Sequence, residues 1–117
     1  MPDIVRERLE LIIGHANVIA ERIDAVYDAG ELKDTKPGQL LLDSLITRLQ
    51  ALAENIKKIQ KLEPAFFRES VALDINPIIR FRDLASHHYE LLNHEIIFAI
   101  CKREVPLLKQ KVEAYLS

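Results

Sequence analysis

Apolar residues recur along this chain at intervals of three and four, the spacing that draws one stripe along one face of an α-helix. Ile4, Leu9, Ile12, Ala16, Ile19, Ile23 and Val26 form such a stripe in the first segment. They predict a first long helix, capped at its start by Asp3 and stopped at Ala29-Gly30. Leu42, Leu45, Leu49, Leu52, Ile56 and Ile59 alternate more strictly, as a helix packed on another helix requires. Pro37 suits the first turn of this second helix, and Pro64 sets its end. Two consecutive helices of about seven turns each predict a long antiparallel hairpin.

The second half is more broken. Glu63 to Ile75 has room for one short helix around Phe66 and Phe67. Asn76-Pro77 predicts a new helix, with Asn as cap and Pro in the first turn, running to about Tyr89. Asn93 can cap a further helix carrying Ile96, Ile97 and Ile100. Pro106 then breaks or kinks it before a last stretch with Leu108, Val112 and Leu116. No strand-like alternation of useful length and no internal repeat interrupts this pattern. The expected fold is all-α, an up-and-down bundle of four to five main helices forming one domain over residues 1–117.

Composition narrows the class. A chain of 117 residues suits one domain, and 49% hydrophobic with 29% charged residues is a globular balance, which excludes a disordered chain. No apolar run approaches the ~18 residues of a membrane span, and no basic-then-apolar leader opens the sequence, so the expectation is a cytoplasmic protein without a membrane. Cys101 is alone and cannot form an internal disulfide, which fits a reducing compartment. Sixteen Lys and Arg against eighteen Asp and Glu give a net charge of −2. Binding to nucleic acid would therefore need a local basic patch and not the overall field. No His, Cys, Asp and Glu set has the spacing of a structural zinc site, and no cofactor is expected.

One stretch stands apart, Arg80-Phe81-Arg82-Asp83-Leu84-Ala85-Ser86-His87-His88-Tyr89. These types suit a phosphodiester. A guanidinium holds phosphate oxygens by paired hydrogen bonds and stabilises the charge of the transition state. An imidazole, with an ordinary pKa of about 6.5, moves a proton near neutral pH. RNA carries its own nucleophile, the 2′-hydroxyl, so cleaving it does not oblige a metal. On a continuous helix Arg82 and Tyr89 would lie about 20° apart, while Arg82 and His87 would lie about 140° apart. Either the helix distorts near His87 or a second copy of the chain completes the site, and a two-fold dimer is the more economical answer.

Arg82-x4-His87-x-Tyr89 resembles the R-x4-H-x-Y signature of HepT-type toxins, small helical ribonucleases of the HEPN superfamily. Asp83 fits the Asp or Asn common after the Arg. The likeness extends to Leu92-Asn93-His94-Glu95-Ile96-Ile97-Phe98, to Val105-Pro106-Leu107-Leu108 and to Ala53-Glu54-Asn55, and so spans most of the chain. Two departures stand out: Asp74-Ile75 where a Pro-Trp is common, and Glu90 where an aromatic often follows the Tyr. The resemblance implies a metal-independent endoribonuclease toxin of a type VII-like toxin–antitoxin pair, acting as a homodimer on RNA in the interface cleft. It also implies a minimal nucleotidyltransferase antitoxin, which silences such toxins by AMP transfer to the motif Tyr. On this chain Arg82 would stabilise the scissile phosphate, His87 would be the acid–base group, and Tyr89 would shape the cleft and accept the modification. The alternative is a helical binding module that partners a nucleotidyltransferase and cleaves nothing.

Other polar residues receive plainer expectations. Arg80 and His88 are auxiliary candidates, and His15 and His94 are expected to be structural or exposed. Lys57, Lys58 and Lys61 read first as a solvated helix face and second as a track for an RNA backbone. Glu54, next to the packing seam between Leu52 and Ile56, is an acid in need of a partner.

Overall fold

The strict three–four spacing between Leu45 and Ile59 does what it predicts. Leu45, Leu49, Leu52, Ile56 and Ile59 are all fully buried, against Leu9, Ile12, Ala16 and Ile19 of the first helix. Burying each Leu or Ile is worth roughly 1.5–3 kcal/mol of transfer free energy, so this seam is a large source of stability. The computed structural model describes residues 2–117. It comprises α1 (Asp3–Asp24), α2 (Glu31–Asp34), α3 (Lys36–Leu62), α4 (Asn76–His87), α5 (His94–Ala99) and α6 (Val105–Leu116), with no strand among the described residues. The chain is an all-α bundle built on the long α1–α3 hairpin. α6 packs back on α1 through Leu108 and Val112, and α4 packs on α3.

The ends of α1 differ from expectation. Asp3 is its first residue, and its side chain caps nothing; Pro2 precedes it. Val5, not Ile4, begins the buried stripe. At the other end α1 stops at Asp24, before Ala29-Gly30, because Val26 turns into the core and its N–H bonds back to Ile23 (3.0 Å). The Glu31 carboxylate then accepts from the Tyr27 N–H (2.7 Å), which locks the turn into α2.

α3 starts where Pro37 requires. Thr35 Oγ1 accepts from the Gly38 N–H (3.0 Å), and Pro37 fills a position whose missing N–H costs nothing. The chain beyond Pro64 makes one π turn, Phe67–Val71, which seats Phe66 and Phe67 edge to face (5.3 Å between centroids). α4 begins at Asn76 itself, so Asn76 is not the cap. Its N–H is met from outside, by the Asp74 carboxylate (2.9 Å). Asn93 does cap α5, accepting from Glu95 N–H at 2.6 Å. Pro106 neither ends nor isolates the last helix. The π turn Ile100–Glu104 joins α5 to α6 and relieves the clash that a proline ring makes one turn back.

Gly38 is the position where the fold depends on having no side chain. A β-carbon there would run into the backbone carbonyl of Glu31, because α2 crosses the start of α3 at close range. Alanine elsewhere in a helix would gain roughly 1 kcal/mol over glycine. Here the overlap reverses the sign, and Gly38→Ala is predicted to lose ~1–3 kcal/mol. Thermal unfolding followed by circular dichroism checks this; a melting temperature at or above wild type would contradict it.

Candidate functional site

α4 is amphipathic, burying Ile78, Phe81 and Ala85. That rotation lays Arg82 along α3, where it meets Glu54. Arg82 Nε donates to Glu54 Oε2 (3.2 Å) and Nη2 to Oε1 (3.4 Å), a two-pronged pair between elements 28 residues apart. Nη1 donates to Asp83 Oδ1 (3.4 Å), which also faces Lys57 Nζ at 3.7 Å. The hydrogen bond to Glu54 is the largest effect and raises the Arg82 pKa above its already high value; burial, next in size, opposes it, and the charges of Glu54 and Asp83 add to the rise. The charge is therefore fixed. A guanidinium has five N–H donors, and these bonds engage one on each nitrogen, leaving two for an incoming oxygen.

The helix that carries Arg82 does not reach Tyr89. It ends at His87, where His88 leaves helical geometry (φ −141°, ψ 53°) while its N–H still bonds to Leu84 O (2.7 Å). Tyr89 to Leu91 form a 3₁₀ turn, closed by Leu91 N–H to His88 O (2.9 Å). The expected 20° alignment of Arg82 with Tyr89 is thereby lost. His87 and His88 are exposed, as are Tyr89 (52%) and Leu91 (66%). Ser86 to Leu91 line an open depression of their own, of about 520 Å³. Glu90 lies in it; Arg82 does not.

The motif thus divides into two parts within one chain. Arg82, Asp83, Glu54 and Lys57 make a charged cluster on the α3–α4 side. His87, His88 and Tyr89 make an exposed, unwound helix end. No hydrogen bond joins the two parts among the described residues. Arg80 stands apart from both. It lines a groove with Pro77, Phe81, Ile96 and Arg103, toward the α5–α6 side. Lys57 is tied to Asp83, which leaves Lys58 and Lys61 as the exposed part of that basic run. Sequence reasoning identified Glu54 as an acid needing a partner and Arg82 as an arginine for phosphate. It did not join them, because no local spacing rule links positions 28 residues apart.

The remaining reactive groups are quiet. The Cys101 thiol is buried and pushed up to about 12, so it stays neutral. No cluster of three or more His, Cys, Asp or Glu is placed to hold a metal ion among the described residues. His15 Nδ1 lies 3.3 Å from Arg48 Nη1. An arginine can only donate, so this ring nitrogen is unprotonated and accepts.

Burial, and next the nearby Arg48 charge, lower the His15 pKa. The unfolded chain therefore takes up this proton more readily than the folded one. The contribution of His15 is intact above its ordinary pKa of about 6.5 and is lost as pH falls from there through the lowered folded-state pKa. In paired melts from pH 7.5 to 5.5, His15→Gln is predicted to gain on wild type as the pH drops; parallel curves would contradict the assignment.

Residues 16–115 match a family model described as Ribonuclease HepT-like. No curated protein and no solved structure matches the chain.

Proposed function

The chain belongs to the HepT-like ribonuclease family, and from that premise we propose that it is a metal-independent endoribonuclease toxin whose reaction site is completed in a homodimer cleft. The observation that carries this reading is the division of the motif. Arg82 keeps two N–H donors on a fixed charge, and His87 with Tyr89 is exposed at a helix end, yet one chain does not bring them together. In the dimer we propose, a second copy related by a two-fold axis brings the Arg82 of one chain near the His87 of the other.

The chemistry follows from those groups. The RNA 2′-hydroxyl attacks the adjacent phosphorus, a 2′,3′-cyclic phosphate forms, and the 5′-oxygen of the next nucleotide leaves. One imidazole must take the 2′-hydroxyl proton and another group must protonate the leaving oxygen. A dimer cleft supplies two copies of His87 for the two transfers, and Arg82 faces the charge gathering on the phosphate oxygens. Asp83 and Glu54 keep the guanidinium oriented. Tyr89 is exposed beside His87, and in this proposal it takes an AMP group from a minimal nucleotidyltransferase antitoxin, as in a type VII-like toxin–antitoxin pair. The adduct would put bulk and negative charge where RNA phosphate must sit. No helix is long and apolar enough to cross a membrane among the described residues, and the site we propose for this activity is the cytoplasm.

One observation favours a second reading. Arg82 already has two carboxylates, and Glu90 lines the depression of His87 and Tyr89, so the same surface suits a helical module that binds a nucleotidyltransferase without cleaving RNA. Cleavage of RNA in EDTA separates the two. Wild type is expected to cut, with Arg82→Ala and His87→Ala each slower by about 10²–10⁴-fold and still folded. Full activity in either variant would contradict its role. An unmodified, dimeric wild type that cuts nothing would establish the binding module. Light scattering at micromolar concentration should give twice the 13.4 kDa chain mass, since such an interface buries ~1,200 Å² or more. A monomer would contradict the shared cleft.

A further inference from the structure

The groove between α1 and α3 carries a second arrangement of arginines, unconnected to the motif in sequence. Arg8 Nη1 donates to Asn55 Oδ1 (3.2 Å). Seven residues on, His15 accepts from Arg48 Nη1 (3.3 Å), and seven further Arg22 Nη1 donates to Ser44 Oγ. The helices are antiparallel, so positions 8, 15 and 22 of α1 meet 55, 48 and 44 of α3 as rungs of one ladder. Every arginine in it is held by a neutral acceptor. Asn55 is itself fixed, its Nδ2 donating to Ala51 O (2.9 Å), so its oxygen is the atom presented to Arg8.

Neutral acceptors orient a guanidinium without cancelling its charge. None of Arg8, Arg22 and Arg48 has a carboxylate within ion-pair distance among the described residues, whereas Arg6, Lys57 and Arg68 each have one and Arg82 has two. The sequence keeps the face this way. No acid stands three or four positions from Arg8, His15, Arg22 or Arg48, the helix neighbours that would pair with them. Asp43 is the acid that lines the groove, at its Arg22 end beside Thr47. On a chain with a net charge of −2, a line of uncompensated arginines is a local feature that the overall balance does not supply.

The geometry selects a linear polyanion. Fourteen residues of α1 separate Arg8 from Arg22, about 21 Å of helix, which is roughly the length of six stacked nucleotides at 3.4 Å per step. A compact anion would reach one rung. Asn55 directly follows Glu54 on α3, so the ladder begins one residue from the carboxylate that holds Arg82. We propose that the α1–α3 ladder is a second RNA-contact surface, which holds the phosphodiester backbone of single-stranded substrate leading away from Arg82. This rests on RNA being the substrate class.

The test is binding, which does not require cleavage. A fluorescent 2′-O-methyl RNA of about 15 nucleotides lacks the attacking hydroxyl and is titrated by anisotropy from 50 to 200 mM salt. Each single-strand phosphate contact contributes a salt slope of about 0.7, so Arg22→Gln/Arg48→Gln should lose about 1.4 of it. Over that range wild type should then lose about sevenfold more affinity than the variant. Arg22→Lys/Arg48→Lys, which keeps both charges, should retain the wild-type slope. The charge-matched control Arg103→Gln/Lys109→Gln, on the α5–α6 side, should retain it too. Unchanged binding by the Gln pair, or an equal loss in the control, overturns the ladder. So does a Gln pair that weakens only self-association or binding to a partner protein. If wild type cuts no ribo-oligonucleotide but the Gln pair still loses its slope, the ladder stands and the nuclease reading falls.

Discussion

The rotational setting of α3 governs this molecule. Its apolar seam, Leu45 through Ile59, is wholly buried, and the cost of exposing even one of these side chains fixes how the helix is turned. Once that rotation is set, Glu54 and Asn55 point about 100° apart simply because they are consecutive. One faces Arg82 of α4 and the other faces Arg8 of α1. A hydrophobic constraint thus places two polar contacts, one in the proposed reaction site and one in the arginine ladder.

The Arg82–Glu54 pair illustrates how a charged site can be ordered without much stability. Both side chains are partly exposed, at 25% and 49%, and such pairs are worth ~0–1 kcal/mol. What the pair supplies is orientation. A two-pronged carboxylate fixes the plane of the guanidinium and leaves two of its N–H donors for a phosphate. The same carboxylates also oppose an incoming phosphate, so RNA must offer more contacts than the motif alone. The ladder of Arg8, Arg48 and Arg22 is of the kind that could supply them, since its arginines carry no such competitor.

Much of the fold was legible because the seam residues repeat at three and four with few exceptions. Pro37, Pro64 and Asn93 marked boundaries by chemistry that acts over one turn. The misplaced ends had tertiary causes. Val26 is drawn into the core and stops α1 early, and His88 leaves the helix two residues before the periodicity gives reason to. The residue types of the motif pointed to phosphate chemistry, and helix geometry to a mismatch between Arg82 and His87 on one helix. The partner of Arg82 was not, since Glu54 lies across the α3–α4 contact. The ladder escaped for the same reason: heptad-spaced Arg8, His15 and Arg22 look like a solvated face until α3 shows what meets them.

In the proposed reaction the RNA attacks itself, with the protein holding the phosphate and moving protons. The most direct measurement is the chemistry of the new ends after digestion in EDTA, by mass spectrometry of a defined oligonucleotide, beside a copy with a single 2′-deoxy residue at the cut. Self-attack yields a 2′,3′-cyclic phosphate and a 5′-hydroxyl, and no cut at the deoxy position. A 3′-hydroxyl with a 5′-phosphate, or unimpaired cutting of the deoxy copy, would show that water is the nucleophile and would contradict it.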